Sequence, residues 1–259
     1  MAASKPTIVL IGGAWHPPTA YSKLTTSLKS AGYEVHVPHY PSLNGARPPN
    51  ADLATDTALV REEVQSLVDA GRTVIALMHS YGGQVGTNAL HGLGVEARAK
   101  ENLPGGVAHL IYMCASALPE GDTMMTKVKE FGHEHLMPIA FDFAEDDTCV
   151  CRDPKTTLVG PGVDESELET YLSSLVRWNG KCLSQEISHC AWRELPAAYI
   201  YTTLDMTIPF DYQKSMVEKM KLEGRKPETW ELATGHCPNL TMPEGVVDVV
   251  NQVAAGKSG

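Results

Sequence analysis

The stretch Thr73 to Val85, TVIALMHSYGGQV, constrains this chain more than any other. Thr73 to Met78 is a short apolar run without alternation, the pattern of a strand buried on both faces of a parallel sheet. It stops at His79-Ser80-Tyr81-Gly82-Gly83, and helix-compatible residues continue from Gln84 to Leu93. A serine at such a strand-to-helix corner stands out of the sheet, and the first amides of the next helix point at charge that develops beside it. Gly82 and Gly83 give backbone clearance on the helix side. Met78 stands where a G-x-S-x-G corner has its first glycine. A lone Ser-x-Gly is common and mostly structural, so the case depends on the rest of the chain.

Thr7 to Ile11 (TIVLI) reads as a first buried strand, stopped by Gly12-Gly13, with a helix from about Thr19 to Ala31. Glu34 to Pro38 is a second strand, His39 to Asn50 a Pro/Gly/Asn-rich loop, and Asp52 to Ala70 an amphipathic helix closed by Gly71. After the serine corner come strands at Val107–Cys114, Ala198–Thr203 and Thr229–Ala233, and helices at Pro209–Leu222 and Pro243–Ala254. Strands alternating with helices predict an α/β fold of about six parallel strands with helices on both faces. About eighty residues between the fourth and fifth strands break the alternation. They carry helical patches at Thr123–Phe131 and Asp164–Val176, with Asp164 as N-cap and Glu167 completing a capping box. The stretch Glu145 to Gly162 reads as a loop, with Cys149 and Cys151 in an exposed turn. A segment this long is usually a lid or binding insert. The expected division is therefore a core of residues 1–117 and 191–259 with a helical cap, residues 118–190, inserted after the fourth strand.

With 259 residues and 43% hydrophobic content, the chain can bury a substantial core. A net charge of −10 without a basic stripe argues against nucleic-acid or anionic-membrane partners. The start of the sequence lacks signal-peptide character, and no run approaches the ~18 apolar residues of a membrane span. Six cysteines are too sparse for a disulfide scaffold. The expectation is a cytoplasmic protein with reduced thiols and no cofactor; a monomer and a homodimer are both open.

A serine hydroxyl needs a base to take its proton, and that base needs a carboxylate to hold its tautomer. In parallel sheets such groups sit beyond the carboxyl ends of strands. Asp205 follows the fifth strand, in YIYTTLDMTIP, and His236 follows the sixth, in ELATGHCPNL. Ser80, Asp205 and His236 thus stand in the order nucleophile, acid, base, after the third, fifth and sixth strands. His133-Glu134-His135 does not make a metal site, because i and i+2 point to different helix faces and no further ligands stand at zinc spacing. Arg152 and Arg177 read as solvated charges by default, with contact to an acidic substrate the alternative.

On these segments the chain resembles the α/β-hydrolase superfamily, in the branch of plant methylesterases, hydroxynitrile lyases and microbial esterase-like relatives. IVLIGGAWH…YSKLTTSLKSAGYEV is similar to that branch's first strand, oxyanion loop and first helix. HSYGG is similar to its elbow, AWRELPAAYIYTTLDMTIP to its acid segment and GHCPNLTMPEGV to its histidine loop. The resemblance implies Ser80 as nucleophile, Asp205 as acid, His236 as base, and the amides of Ala14 and Tyr81 as oxyanion donors. Trp15, His16 and His79 flank the site as candidate pocket residues, with Tyr81 a pocket wall or core. The chain departs from the branch at Met78 and at Gly12, where many members carry a histidine. The implied function is hydrolysis of a small carboxylic ester, thioester or lactone; C–C lyase or isomerase chemistry and a ligand receptor are the alternatives. In the lyases of this branch a lysine follows the catalytic histidine. Here Cys237 does, so cyanohydrin cleavage is not expected.

Overall fold

The computed structural model describes residues 5–256. The chain begins with β1 (Thr7–Ile11), α1 (Ser22–Ser30), the two-residue β2 (Val35–His36) and α2 (Leu53–Asp69). Asp52 caps α2 by accepting from the amides of Ala54 and Thr55, while Thr55 returns a bond to the Asp52 amide. The chain continues through β3 (Thr73–His79), α3 (Tyr81–Ala89), α4 (Val95–Lys100) and β4 (Gly106–Met113). The segment after β4 contains α5 (Met124–Glu130), α6 (Met137–Ala140), β5 (Phe141–Phe143), β6 (Thr148–Cys151), α7 (Glu165–Ser174) and β7 (Trp178–Asn179). The core resumes with β8 (Ala197–Thr202), α8 (Phe210–Leu222), β9 (Glu228–Leu232), α9 (Pro238–Thr241) and α10 (Pro243–Ala254). No helix of the described residues is long and apolar enough to cross a membrane.

Six strands form one parallel sheet in the order β2-β1-β3-β4-β8-β9. Because successive strand residues face opposite ways, each strand supplies two cores. Ile8, Leu10, Ile75, Leu77, Ile111 and Ile200 pack with Leu24 and Leu28 of α1 and the valines of α10. Val9, Ile11, Ala76, Met78, Tyr112 and Tyr199 pack on the other face with α2, α3 and α8. The buried side chains of the segment between β4 and β8, among them Trp178, Cys149 and Leu158, join this second core.

That segment differs from its sequence reading in three ways. Besides helices it holds a three-stranded antiparallel sheet, β5-β6-β7, whose members have only two to four residues each. Strands so short show no legible alternation. Cys149 therefore lies in β6 and is fully buried rather than in an exposed turn, and Cys151 is half-buried. Asp164 occupies the N-cap of α7 but its side chain accepts no capping bond. Glu167 pairs instead with Lys23 at 2.8 Å.

The sheet order reverses beside β1: β2 lies on one side and β3 on the other. The crevice beyond such a switch point is where open parallel sheets place their ligands. Ile11 is in register with Met78, so the Gly12–Ala14 turn and the Ser80 corner leave the sheet side by side. Thr202 is in register with Leu232, which brings the turns after β8 and β9 to the same end.

Candidate active site

Ser80 is the single residue between β3 and α3, with φ 54° and ψ −122°. This is a strained conformation for a side chain larger than glycine, and it persists only where the surroundings over-determine it. Here the Ser80 carbonyl accepts from the amides of Gly83 and Ser116, each at 3.0 Å. Met78 does not prevent the sharp turn because its side chain has room elsewhere. A Cβ on Gly86 would fall 2.4 Å from the Met78 sulfur, so the glycine six residues beyond Ser80 supplies the missing clearance.

His236 Nε2 lies 2.8 Å from Ser80 Oγ, and His236 Nδ1 lies 2.7 Å from Asp205 Oδ2. The three side chains named from strand order therefore form one hydrogen-bonded chain, with Ser80 3%, Asp205 6% and His236 1% exposed. Asp205 is held on all sides. Its Oδ1 accepts from the amides of Thr207 and Ile208, both at 2.8 Å. Its Oδ2 accepts from Thr202 Oγ1 at 2.9 Å and Gln213 Nε2 at 3.3 Å as well as from the histidine. With its donors fixed in this way, the carboxylate cannot rotate away from the imidazole.

The loop after β1 is anchored by a relay that the sequence reading did not find. The Gly13 amide donates to the Tyr21 hydroxyl at 2.6 Å, and that hydroxyl meets His79 Nδ1 at 2.8 Å. His79 Nε2 in turn donates to the His236 carbonyl at 2.8 Å. A carbonyl only accepts, so the His79 proton sits on Nε2, and Nδ1 accepts from Tyr21. Burial, followed by the neighbouring His236 and His16, holds His79 well below the usual histidine range, so the ring is neutral. A Cβ at Gly12 would come within 2.9 Å of the Tyr21 ring; the tyrosine fills the space that a side chain at position 12 would occupy.

His16 is also buried, and burial lowers its pKa to about 4. Its Nδ1–H donates to the Ala14 carbonyl at 2.5 Å, and Nε2 faces the Cys237 thiol at 3.7 Å. Burial pushes that thiol up to about 12, so Cys237 is a neutral packing group. Neither His16 nor His79 lines the cavity above Ser80; His16 bonds the Ala14 carbonyl and His79 reaches Gly13 through Tyr21. Tyr81 is core as well, edge-on to Tyr40 and Trp178, with its hydroxyl donating to Asp56 Oδ2 at 2.9 Å. Trp15 does line the cavity, stacked on Phe141 and tied by its Nε1 to the Cys149 carbonyl at 3.0 Å. The Tyr81 amide opens α3 and so has no intrahelical acceptor, and the Ala14 amide donates to no acceptor among the described residues.

The cavity over Ser80 takes in about 600 Å³ of space, part of it open solvent, and its lining is mostly apolar. Trp15, Phe141 and Trp178 form one wall; Met124, Val128 and Met137 another; Ile208, Tyr212 and Met216 close the side near Asp205. His79, Cys114 and His236 bring three metal-ligating side chains close together. Every nitrogen of the two rings already has a hydrogen-bond partner, and burial holds the Cys114 thiol protonated. The trio fits a support network better than an ion site.

A model of the alpha/beta hydrolase family matches residues 8–249. The chain belongs to the alpha/beta hydrolase family. Among curated members of this family, the probable hydrolase R7 of Phoma sp. is 26% identical over 263 residues, covering 97% of this chain and 99% of that one. Among solved structures, the pyrethroid hydrolase PytH superposes with a TM-score of 0.74 at 20% identity, over 97% of this chain and 98% of that one. Polyneuridine aldehyde esterase superposes with a TM-score of 0.73 at 17% identity, over 96% and 99%. At such identities these two structures speak to the hydrolase fold alone.

Three side chains around this family site went unassigned from sequence. Tyr21 reads as one of an apolar stripe, and its relay partner His79 is 58 positions away. Lys127, part of the cavity wall, lies in a helix recognised only by its outline. Asp56 left a usable signal: it interrupts the buried stripe Leu53, Val60, Val64, Val68 of α2. It accepts from the Ser42 amide and hydroxyl and from Tyr81, which ties α2 to the serine corner.

Proposed function

We propose that this protein is a serine hydrolase that cleaves a carboxylic ester, thioester or lactone of a small apolar substrate through an acyl-enzyme on Ser80. The observation that carries this reading is His236 bridging Ser80 Oγ and Asp205 at 2.8 and 2.7 Å beneath an apolar cavity. Ser80 Oγ attacks the carbonyl as its proton passes to His236 Nε2, and Asp205 stabilises the imidazolium that results. The Ala14 and Tyr81 amides receive the oxyanion, with the α3 N-terminus adding its partial positive charge. His236 then gives the proton to the leaving alcohol or thiol, and a water activated by the same nitrogen releases the acid. The segment between β4 and β8 acts as a cap that sets substrate range and limits water.

Pyrethroid hydrolase and polyneuridine aldehyde esterase among the structural relatives are consistent with ester chemistry. The neutral Cys237 argues against cyanohydrin cleavage, since no cation stands there to receive a departing cyanide. The test is hydrolysis of p-nitrophenyl esters of graded chain length by wild type and Ser80→Ala. Loss of turnover by up to ~10⁶ in a folded variant supports the proposal; a variant that keeps a tenth or more of the rate overturns it.

A further inference from the structure

Lys127 is the one charged side chain among the residues that line the cavity. It lies on the inward stripe of its helix, where Met124, Lys127, Val128 and Phe131 follow the spacing of one helix face. The other three pack against the main core. Lysine is almost never this buried unless it is paired, and the Lys127 side chain is 11% exposed. Its one hydrogen bond among the described residues goes to Glu130 Oε2 at 2.6 Å, a carboxylate whose side chain is 46% exposed. An ammonium has three donors, so two are unmatched within the protein. Glu130 pairs the charge, and the two spare donors beside an apolar wall are open to a second anionic acceptor.

We infer that Lys127 is an anion subsite of this cavity and receives a carboxylate carried by the substrate, away from the ester carbonyl that Ser80 attacks. The substrate class is then an apolar ester bearing one carboxylate. The ester half of this statement rests on the serine-hydrolase reading; the carboxylate half does not. A chain of net charge −10 repels anions in general, so capture of one needs a local cation. Glu130 holds the ammonium at the rim, and the incoming carboxylate shares or replaces that partner. A lysine that served only as wall would lend its methylene stem to the cavity and be indifferent to ligand charge.

The experiment compares two chain-matched esters, p-nitrophenyl hydrogen adipate and p-nitrophenyl hexanoate, on wild type, Lys127→Met and Glu130→Gln. The ratio of kcat/KM, adipate over hexanoate, is expected to fall about 10–100-fold in Lys127→Met, as for loss of one charge-assisted hydrogen bond, and to rise in Glu130→Gln. In parallel, calorimetry on Ser80→Ala measures binding of monomethyl adipate and methyl hexanoate with and without Lys127→Met. A matching loss of monomethyl adipate affinity supports the subsite even where no ester is turned over. A ratio and an affinity that ignore the lysine overturn it. Charge-dependent binding without Ser80-dependent turnover would remove the hydrolase reading and leave the subsite standing; charge-blind turnover would do the reverse.

Discussion

Tyr21→Phe removes one oxygen from the centre of the proposed oxyanion machinery. In the wild type that oxygen takes the Gly13 amide at 2.6 Å and serves His79 Nδ1 at 2.8 Å, at a site with no solvent exposure. The variant keeps the ring that packs against Gly12, so shape is preserved and only the polar link is lost. Two buried groups are left without partners, each costing about 1–3 kcal/mol. The expected destabilisation is about 2–5 kcal/mol, or a fall in Tm of roughly 5–15 °C for a chain of this size. Gly13 precedes Ala14, whose amide is one of the two oxyanion donors in the proposal. Loss of a whole donor costs ~10²–10³ in turnover, so a loosened one is expected to lower kcat by about 10–100-fold while KM changes little. The assay is ester hydrolysis well below the variant's Tm, with Tyr33→Phe as control. That change also deletes a hydroxyl that donates, to Asn251 at 2.8 Å, but this one is only part-buried and touches neither Gly13 nor His79. A Tyr21→Phe enzyme with wild-type kcat and Tm would refute the idea that this hydroxyl holds the loop.

Asp205→Asn is expected to fold normally and to lose ~10³–10⁴ in kcat, because the amide cannot hold the reactive tautomer of His236; steady-state kinetics with circular dichroism would check both halves. Asp56 gives a pH dependence of stability. Burial raises its pKa from 3.8 to about 6, so between those values the folded chain holds a proton that the unfolded chain has lost. Stability therefore declines as pH rises through that window, by about 3 kcal/mol for this group, and Asp56→Asn should flatten the decline in urea midpoints taken at pH 4.5 and 7. Equal slopes in both proteins would contradict this. Gly86→Ala should cost about 1–3 kcal/mol by driving a methyl into the Met78 sulfur, and most of that loss should vanish in a Met78→Ala background. Additive losses would mean that the two residues do not share this space.

Much of the fold can be read from local pattern, and the reasons it fails elsewhere are physical. The core strands stand out because a strand buried on both faces must be apolar throughout, as Thr7–Ile11 and Val74–Met78 are. Ser80, Asp205 and His236 could be proposed together because each follows a strand and parallel topology collects strand ends at one edge. The small sheet of β5, β6 and β7 could not be foreseen, since its pairing joins Cys149 to Trp178 across α7 and two turns. The anchors of the site escaped for the same reason. Tyr21, His79 and Gly13 are ordinary in their own neighbourhoods, and their relay exists only once β1 and β3 lie side by side. His16 and His79, expected at the pocket because they adjoin its backbone donors, bond to the loop and its Tyr21 anchor instead; adjacency in sequence fixes a side chain's neighbourhood but not its direction. Met78 and Gly12, the two departures from the family pattern, are each answered at a distance, by Gly86 and by Tyr21.

Whether Ser80 is the nucleophile that carries the acyl group can be read by labelling the protein with a fluorophosphonate and mapping the modified peptide by mass spectrometry. One modified residue, Ser80, is expected, with labelling abolished in Ser80→Ala and strongly slowed in His236→Ala. Modification at another residue, or ester hydrolysis that persists in Ser80→Ala, would contradict that role for Ser80.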